Sequence, residues 1–213
     1  MELLLQQIVD RINTTNNRMI IGISGHGAAG KTTFAHKLIS QLERDEVNYI
    51  NTDPYIVGSN IRKHTRIQYT YQNVEHQDKM TACHPEAHFS TALERDIQMV
   101  RAGTDFYTID AHYQRSERIS STKRVTIVEG MSMAFINLDL FDLKIYFYTD
   151  EQTELLRRMD RDVVERGTDL QYLKRSHDER RIQYQRFMHP YSKQFDIIVK
   201  NLNTEFRIEK NMG

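Results

Sequence analysis

One cysteine, Cys83, stands among 213 residues. No intrachain disulfide can form, and a reducing cytoplasm is the expected setting. Prolines number three and glycines nine, and no stretch reads as a linker. Neither sign of charge is in excess: 29 Lys and Arg face 29 Asp and Glu. That balance argues against broad nucleic-acid or membrane-surface binding. No run is apolar enough to span a bilayer. Leu3, Leu4 and Leu5 lie between Glu2 and Gln6-Gln7, without the basic start and longer apolar run of a signal peptide. Leu5, Ile8, Val9 and Ile12 fall instead on one face of a short amphipathic helix. The histidines show no zinc spacing such as H-E-x-x-H. The length suits one domain over 1–213, able to bury a core without disulfides or a structural metal.

What is present is an alternation. Apolar runs at Met19–Ile23, Val47–Ile50, Val125–Val128, Leu143–Tyr148 and Ile197–Val199 suit strands buried on both faces of a parallel sheet. Helical patterns over Pro85–Ala102, Thr149–Arg166 and Leu170–Met188 separate them. The expected fold is α/β, with a central parallel sheet between helical layers and right-handed crossovers. A helical lid is expected over about 150–188, opened by a capping box of Thr149 and Gln152 and buried along Leu155, Met159 and Val163. The polar stretch 56–84 lacks clear periodicity and reads as an insertion covering the substrate.

Gly25-His26-Gly27-Ala28-Ala29-Gly30-Lys31-Thr32 fits G-x-x-x-x-G-K-T between a strand and a helix. In that setting the loop's N–H groups and the helix N-terminus bind phosphate oxygens. Lys31 reaches the β- and γ-phosphates and the Thr32 hydroxyl takes Mg²⁺. Asp53 follows a strand and precedes Pro54. Its carboxylate is equally a proton acceptor for an attacking hydroxyl or the start of a turn. Glu129 ends another strand, where a carboxylate helps hold Mg²⁺ or simply meets solvent. Strand-end placement brings all three to one crevice. Arg158 and Arg161 share a helix face. Pattern alone favours surface charge for them, with Arg161 and Glu165 spaced to pair.

Six segments in this order resemble the uridine kinase and phosphoribulokinase family of P-loop kinases. They are Gly22–Thr33, Thr52-Asp53-Pro54-Tyr55, His84-Pro85-Glu86-Ala87, Val128-Glu129-Gly130, Arg161–Gly167 and Ser192–Ile198. The likeness runs from about Ile20 to Lys200. It implies a P-loop NTPase three-layer sandwich and an ATP-dependent kinase of a small molecule. Gly25, His26, Gly27, Ala28, Ala29, Gly30, Lys31, Thr32 and Thr33 would bind ATP with Arg158. Asp53 would be the catalytic base, assisted by Lys31, Arg161 and Arg166, with Mg²⁺ on Thr32 and Glu129. The acceptor would lie among Asp53, Tyr55, Cys83, His84, Asp110 and Tyr113. Dimers or tetramers are permitted.

Three positions depart from the family's nucleoside kinases. Cys83 stands where their aspartate holds the ribose hydroxyls, and a thiol cannot replace a charged acceptor for a diol. Ile109 stands where a tyrosine packs the base, with Tyr107 or Tyr113 near enough to compensate. Thr168 stands where the lid has another arginine. Lost polar contacts of this kind can cost roughly 10⁴ in selectivity. The donor apparatus is therefore expected intact and the acceptor open. Uridine or cytidine is the first acceptor to test, a pantothenate-like or sugar hydroxyl the alternative. A nucleotide-binding switch is the reading from a different class.

Overall fold

The structure is a computed structural model. It describes all residues except 16, 166–168 and 212–213, and the side chains of 163–165, 172 and 175 lie outside the described set as well. Arg166 and Thr168 therefore fall outside the described residues.

Six strands form the main sheet: β1 (Met19–Gly25), β2 (Val47–Asn51), β7 (Val125–Glu129), β8 (Leu143–Tyr148), β9 (Ile197–Asn201) and β10 (Phe206–Lys210). Two hairpins supply the others, β3 (Arg66–Tyr71) with β4 (Val74–Lys79) and β5 (Phe106–Tyr107) with β6 (Arg118–Ile119). The main sheet runs β10-β9-β8-β1-β7-β2. All its pairings are parallel except β10 against β9. The expected parallel sheet is there, with an antiparallel edge added. β1 and β7 are buried at every position, as continuous apolar runs covered on both faces should be.

The pleat sends alternate residues to two cores. Ile21, Ile23, Ile127, Ile145 and Phe147 face α1 (Glu2–Thr14) and α2 (Lys31–Ser40). Leu4, Leu5, Ile8, Val9 and Ile12 are the buried face of α1. On the other side Ile20, Ile50, Val128 and Tyr146 pack with Leu93, Ile97 and Val100 of α4 (Ser90–Arg101). This is the three-layer α/β sandwich. No helix among the described residues is long and apolar enough to cross a membrane.

The stretch 56–84 is more regular than its sequence indicates. It holds the short α3 (Ser59–Arg62) and the β3–β4 hairpin. The hairpin turns at Gln72 and Asn73, both with positive φ, the geometry of tight hairpin turns. Tyr69 stacks on His76 and meets Phe187 edge-on. The Gln183 side chain accepts from Thr81 and donates to the Lys79 carbonyl, which docks the base of the hairpin.

The lid begins one residue later than expected. Asp150, not Thr149, caps α5 (Glu151–Arg158), accepting the Thr153 N–H at 2.7 Å. Its buried residues are Thr153 and Glu154, while Leu155 and Met159 are half-buried. α5 continues as a π-helical stretch, Met159–Glu165, and α6 (Leu170–Gln183) runs into another, Tyr184–Met188. Such irregular turns are common where helices carry functional side chains.

Candidate active site

Sheet register builds the crevice. Ile23 of β1, Glu129 of β7 and Asn51 of β2 lie side by side. The residues that follow them leave the sheet at one edge. Thr52 N–H donates to the Glu129 carbonyl at 2.8 Å, Gly130 N–H to Ile23 at 3.0 Å, and Ser24 Oγ to the Gly130 carbonyl at 3.0 Å. The phosphate loop, Glu129 and Asp53 are thereby brought to the same edge.

The loop is braced from behind. Gly30 takes φ 95°, a left-handed conformation that a side chain resists, and a Cβ there would collide with Asn201. Asn201, at the end of β9, donates to the Ala29 carbonyl at 2.8 Å. Arg157 donates to the Ala28 carbonyl at 3.1 Å. Lys31 Nζ donates to the His26 carbonyl at 3.0 Å and stands 3.9 Å from Glu129. Burial lowers the Lys31 pKa, opposed chiefly by Glu129 and Asp53.

His26 belongs to the loop, but its side chain turns away from the crevice and is fully buried. Thr149 N–H donates to Nε2 at 3.0 Å, so Nδ1 carries the hydrogen and donates to the Gly27 carbonyl at 2.8 Å. Burial lowers its pKa, and the ring is neutral. Glu154 lies 3.5 Å from His26 and also holds Arg180 and Arg181, at 3.4 and 3.1 Å. Burial pushes the Glu154 carboxyl up, but His26 and these arginines outweigh it and hold it well below the usual range.

The Thr32 hydroxyl donates to Glu129 Oε2 at 3.1 Å, and Tyr49 donates to the same oxygen at 2.9 Å. Glu129 is buried, not a solvated strand end. A hydroxyl and a carboxylate in contact at the mouth of a phosphate loop are hard oxygen donors of the kind Mg²⁺ takes beside phosphates and waters. These residues fit that ion.

Asp53 is exposed at the crevice. Its N–H is tied to Asn51 Oδ1 at 2.8 Å, and Tyr113 donates to its carbonyl at 3.0 Å. Tyr113 thus comes to Asp53. Tyr55 does not face the crevice: it is fully buried and its hydroxyl donates to buried Asp96. Cys83 is also enclosed, and burial pushes its thiol pKa up. Asp110 accepts the Ser116 N–H at 3.1 Å and closes its own loop. His84 is half-buried; its Nδ1 accepts from Glu86 N–H, and its ring meets Phe187 at 4.6 Å.

In the lid, Arg158 and Arg161 both pair with Asp162, at 3.3 and 2.8 Å. Arg157, not Arg158, touches the loop. Arg180 of α6, which the sequence reading passed over, lies against Gly27: a Cβ at Gly27 would sit 2.6 Å from its Nη2. The Arg180-Arg181 pair is visible in the sequence, but its distance from the arginine-rich lid segment hid it.

The match to the phosphoribulokinase/uridine kinase family covers residues 20–206. A uridine kinase from Lactobacillus helveticus is 31% identical over 194 residues, spanning 85% of each chain. A phosphoribulokinase from Rhodobacter spheroides superposes with a TM-score of 0.61 at 16% identity, over 87% of this chain and 71% of that one. A D-glycerate 3-kinase from Cryptococcus neoformans gives 0.60 at 9% identity, over 97% and 99%. The two superpositions show the fold. On the family match and the uridine kinase likeness together, the chain belongs to the phosphoribulokinase/uridine kinase family of P-loop kinases and is an ATP-dependent phosphotransferase acting on a hydroxyl group.

Proposed function

We propose that the chain moves the γ-phosphate of ATP to a hydroxyl of a small metabolite, with Asp53 as the base. The observation that carries this is the convergence of the loop, the Thr32–Glu129 contact and exposed Asp53 at one sheet edge. The loop from Gly25 to Thr33 holds the donor's phosphates. Lys31 and the lid arginines Arg158, Arg161 and Arg166 would neutralise charge that builds on the transferring group. Thr32 and Glu129 would hold Mg²⁺, which would supply charge neutralisation at the donor's phosphates. Asp53 accepts the hydroxyl proton, and Tyr113 fixes the backbone that carries it. Uridine and cytidine are the first acceptors to test, because relatives that span the same length are uridine kinases. The reaction and its reducing-compartment setting are read from the site and the single cysteine.

The test is ADP release with and without an acceptor panel. Acceptor-dependent ADP is expected, and Asp53→Asn should lower kcat by roughly 10²–10⁴ while leaving the KM for ATP within twofold. Acceptor-independent ADP release that Asp53→Asn does not change would point to a nucleotide-binding switch instead.

A further inference from the structure

The phosphate loop holds a non-glycine residue in the left-handed region, Ala28 at φ 66°. A Cβ resists that conformation, so contacts from outside the loop must impose it. The buried ring of His26 supplies one. Its Nδ1 donates to the Gly27 carbonyl at 2.8 Å, and buried Glu154 of α5 stands on the same side of the ring at 3.5 Å. Both neighbours are acceptors, which keeps the hydrogen on Nδ1. On the opposite side Nε2 accepts the Thr149 N–H at 3.0 Å, just past β8. Tyr184 lies against the ring, with centroids 4.4 Å apart. The imidazole is thus held by the sheet and the lid, with its one donor aimed at the loop.

That donor decides more than the place of one carbonyl. The described residues contain no cis peptide bond, so the Gly27 C=O and the Ala28 N–H lie on opposite sides of one rigid plane. Drawing the carbonyl inward onto His26 turns the Ala28 N–H outward. Ala28 is partly exposed, and its N–H meets no acceptor among the described residues. An N–H left open in a phosphate loop, on a left-handed residue, is the geometry that takes an anionic oxygen. The glycine pattern does not supply this orientation, because G-x-x-x-x-G-K-T leaves position 26 open to any residue.

We infer that His26 is a positioning residue for the phosphate donor: its Nδ1–H sets the Gly27–Ala28 peptide so that the Ala28 N–H binds a phosphate oxygen of ATP. This rests on the donor site assigned above. His26 touches neither substrate and exchanges no proton. It acts through the backbone, so its loss shows in nucleotide affinity.

The experiment measures binding of ADP and of a non-hydrolysable ATP analogue, each with Mg²⁺, by calorimetry, so no acceptor is needed. Two variants separate the two sides of the ring. His26→Asn puts an amide N–H where Nδ1–H stands and leaves Thr149 without its acceptor. His26→Gln puts an amide oxygen where Nε2 stands and leaves the Gly27 carbonyl without its donor. Circular dichroism and Tm establish that each is folded. The expected Kd for both nucleotides is raised at least about tenfold in His26→Gln and stays within about threefold of wild type in His26→Asn. A Kd unchanged in both, or raised as much in His26→Asn as in His26→Gln, overturns the inference. Wild type gives a second reading that does not depend on either variant folding. Gly27-Ala28 is the one Gly-Ala pair in the sequence, so carbonyl-labelled glycine with nitrogen-labelled alanine isolates the Ala28 amide by NMR. Its proton should move downfield when ADP is added, and the ring nitrogen shifts of His26 should place the hydrogen on Nδ1. An Ala28 amide that ADP does not move, or a hydrogen on Nε2, overturns the inference. If wild type binds neither nucleotide, the donor-site reading fails and the inference with it.

Discussion

Asp53 shows how a single residue reads differently once its neighbours are known. By spacing it is a base or a turn; the structure shows the turn, Asp53–Tyr55, and leaves the residue exposed, as the proposed base must be. That turn is anchored by Tyr55, whose hydroxyl reaches Asp96 inside the core. Tyr55→Phe leaves a fully buried carboxylate short of a donor and should destabilise the fold by about 1–3 kcal/mol. A urea midpoint equal to wild type would refute that. Cys83 is the converse case. Its sequence position points to substrate, yet its side chain is fully enclosed in the core. Cys83→Asp would place a carboxylate at that enclosed position. The expected outcome is a higher kcat/KM for uridine, measured in an acceptor panel. An unchanged or lower uridine kcat/KM in a folded variant would remove position 83 from the acceptor site.

At the scale of elements, the phosphate loop is a backbone shape held by neighbours that no local pattern identifies. Asn201 from β9 and Arg157 from α5 each hold one loop carbonyl. Arg157→Met removes a hydrogen bond of about 1 kcal/mol, so the KM for ATP should rise about fivefold. Stopped-flow binding of a fluorescent ATP analogue would show it, and unaltered binding would free Arg157 of this role. The five parallel strands were legible because each is an apolar run, and the central β1 and β7 are covered on both faces. The β3–β4 hairpin was not, because of its strand residues only Tyr69 is buried and its order comes from Gln183 and Phe187, more than a hundred residues away along the chain. The lid's cap was misplaced by one residue because Thr149 and Asp150 are both good caps. In the structure Asp150 takes the Thr153 N–H, and Thr149 is drawn into the core with its N–H on His26.

For the whole molecule, burial of histidines sets the response to acid. His26, His84, His88, His177 and His189 all have pKa values lowered first by burial, and His88 is pushed down to about 4. A histidine with a lowered folded pKa binds its proton more readily when unfolded. Its contribution is complete above the unfolded value near 6.5 and is lost as pH falls toward the folded one. His88 alone amounts to about 3 kcal/mol across that window. Glu154, lowered as well, adds a loss below the ordinary carboxylate range. Urea unfolding at pH 7.5, 6.5 and 5.0 should show stability falling steadily, with a shallower slope in His88→Gln. A flat profile would contradict the burial of these rings. Sequence alone determined the five parallel strands of the sheet, the phosphate loop and the order of the chemical groups along the chain, because those follow from local periodicity and from backbone needs that glycine meets. Tertiary structure decided which side chains reach the crevice. Tyr55 and Cys83 turned inward, Tyr113 came to Asp53, and Arg180 was set against Gly27. Those placements depend on how β1, β2 and β7 align and on where α6 packs, contacts between residues far apart in the chain that no short window of sequence contains.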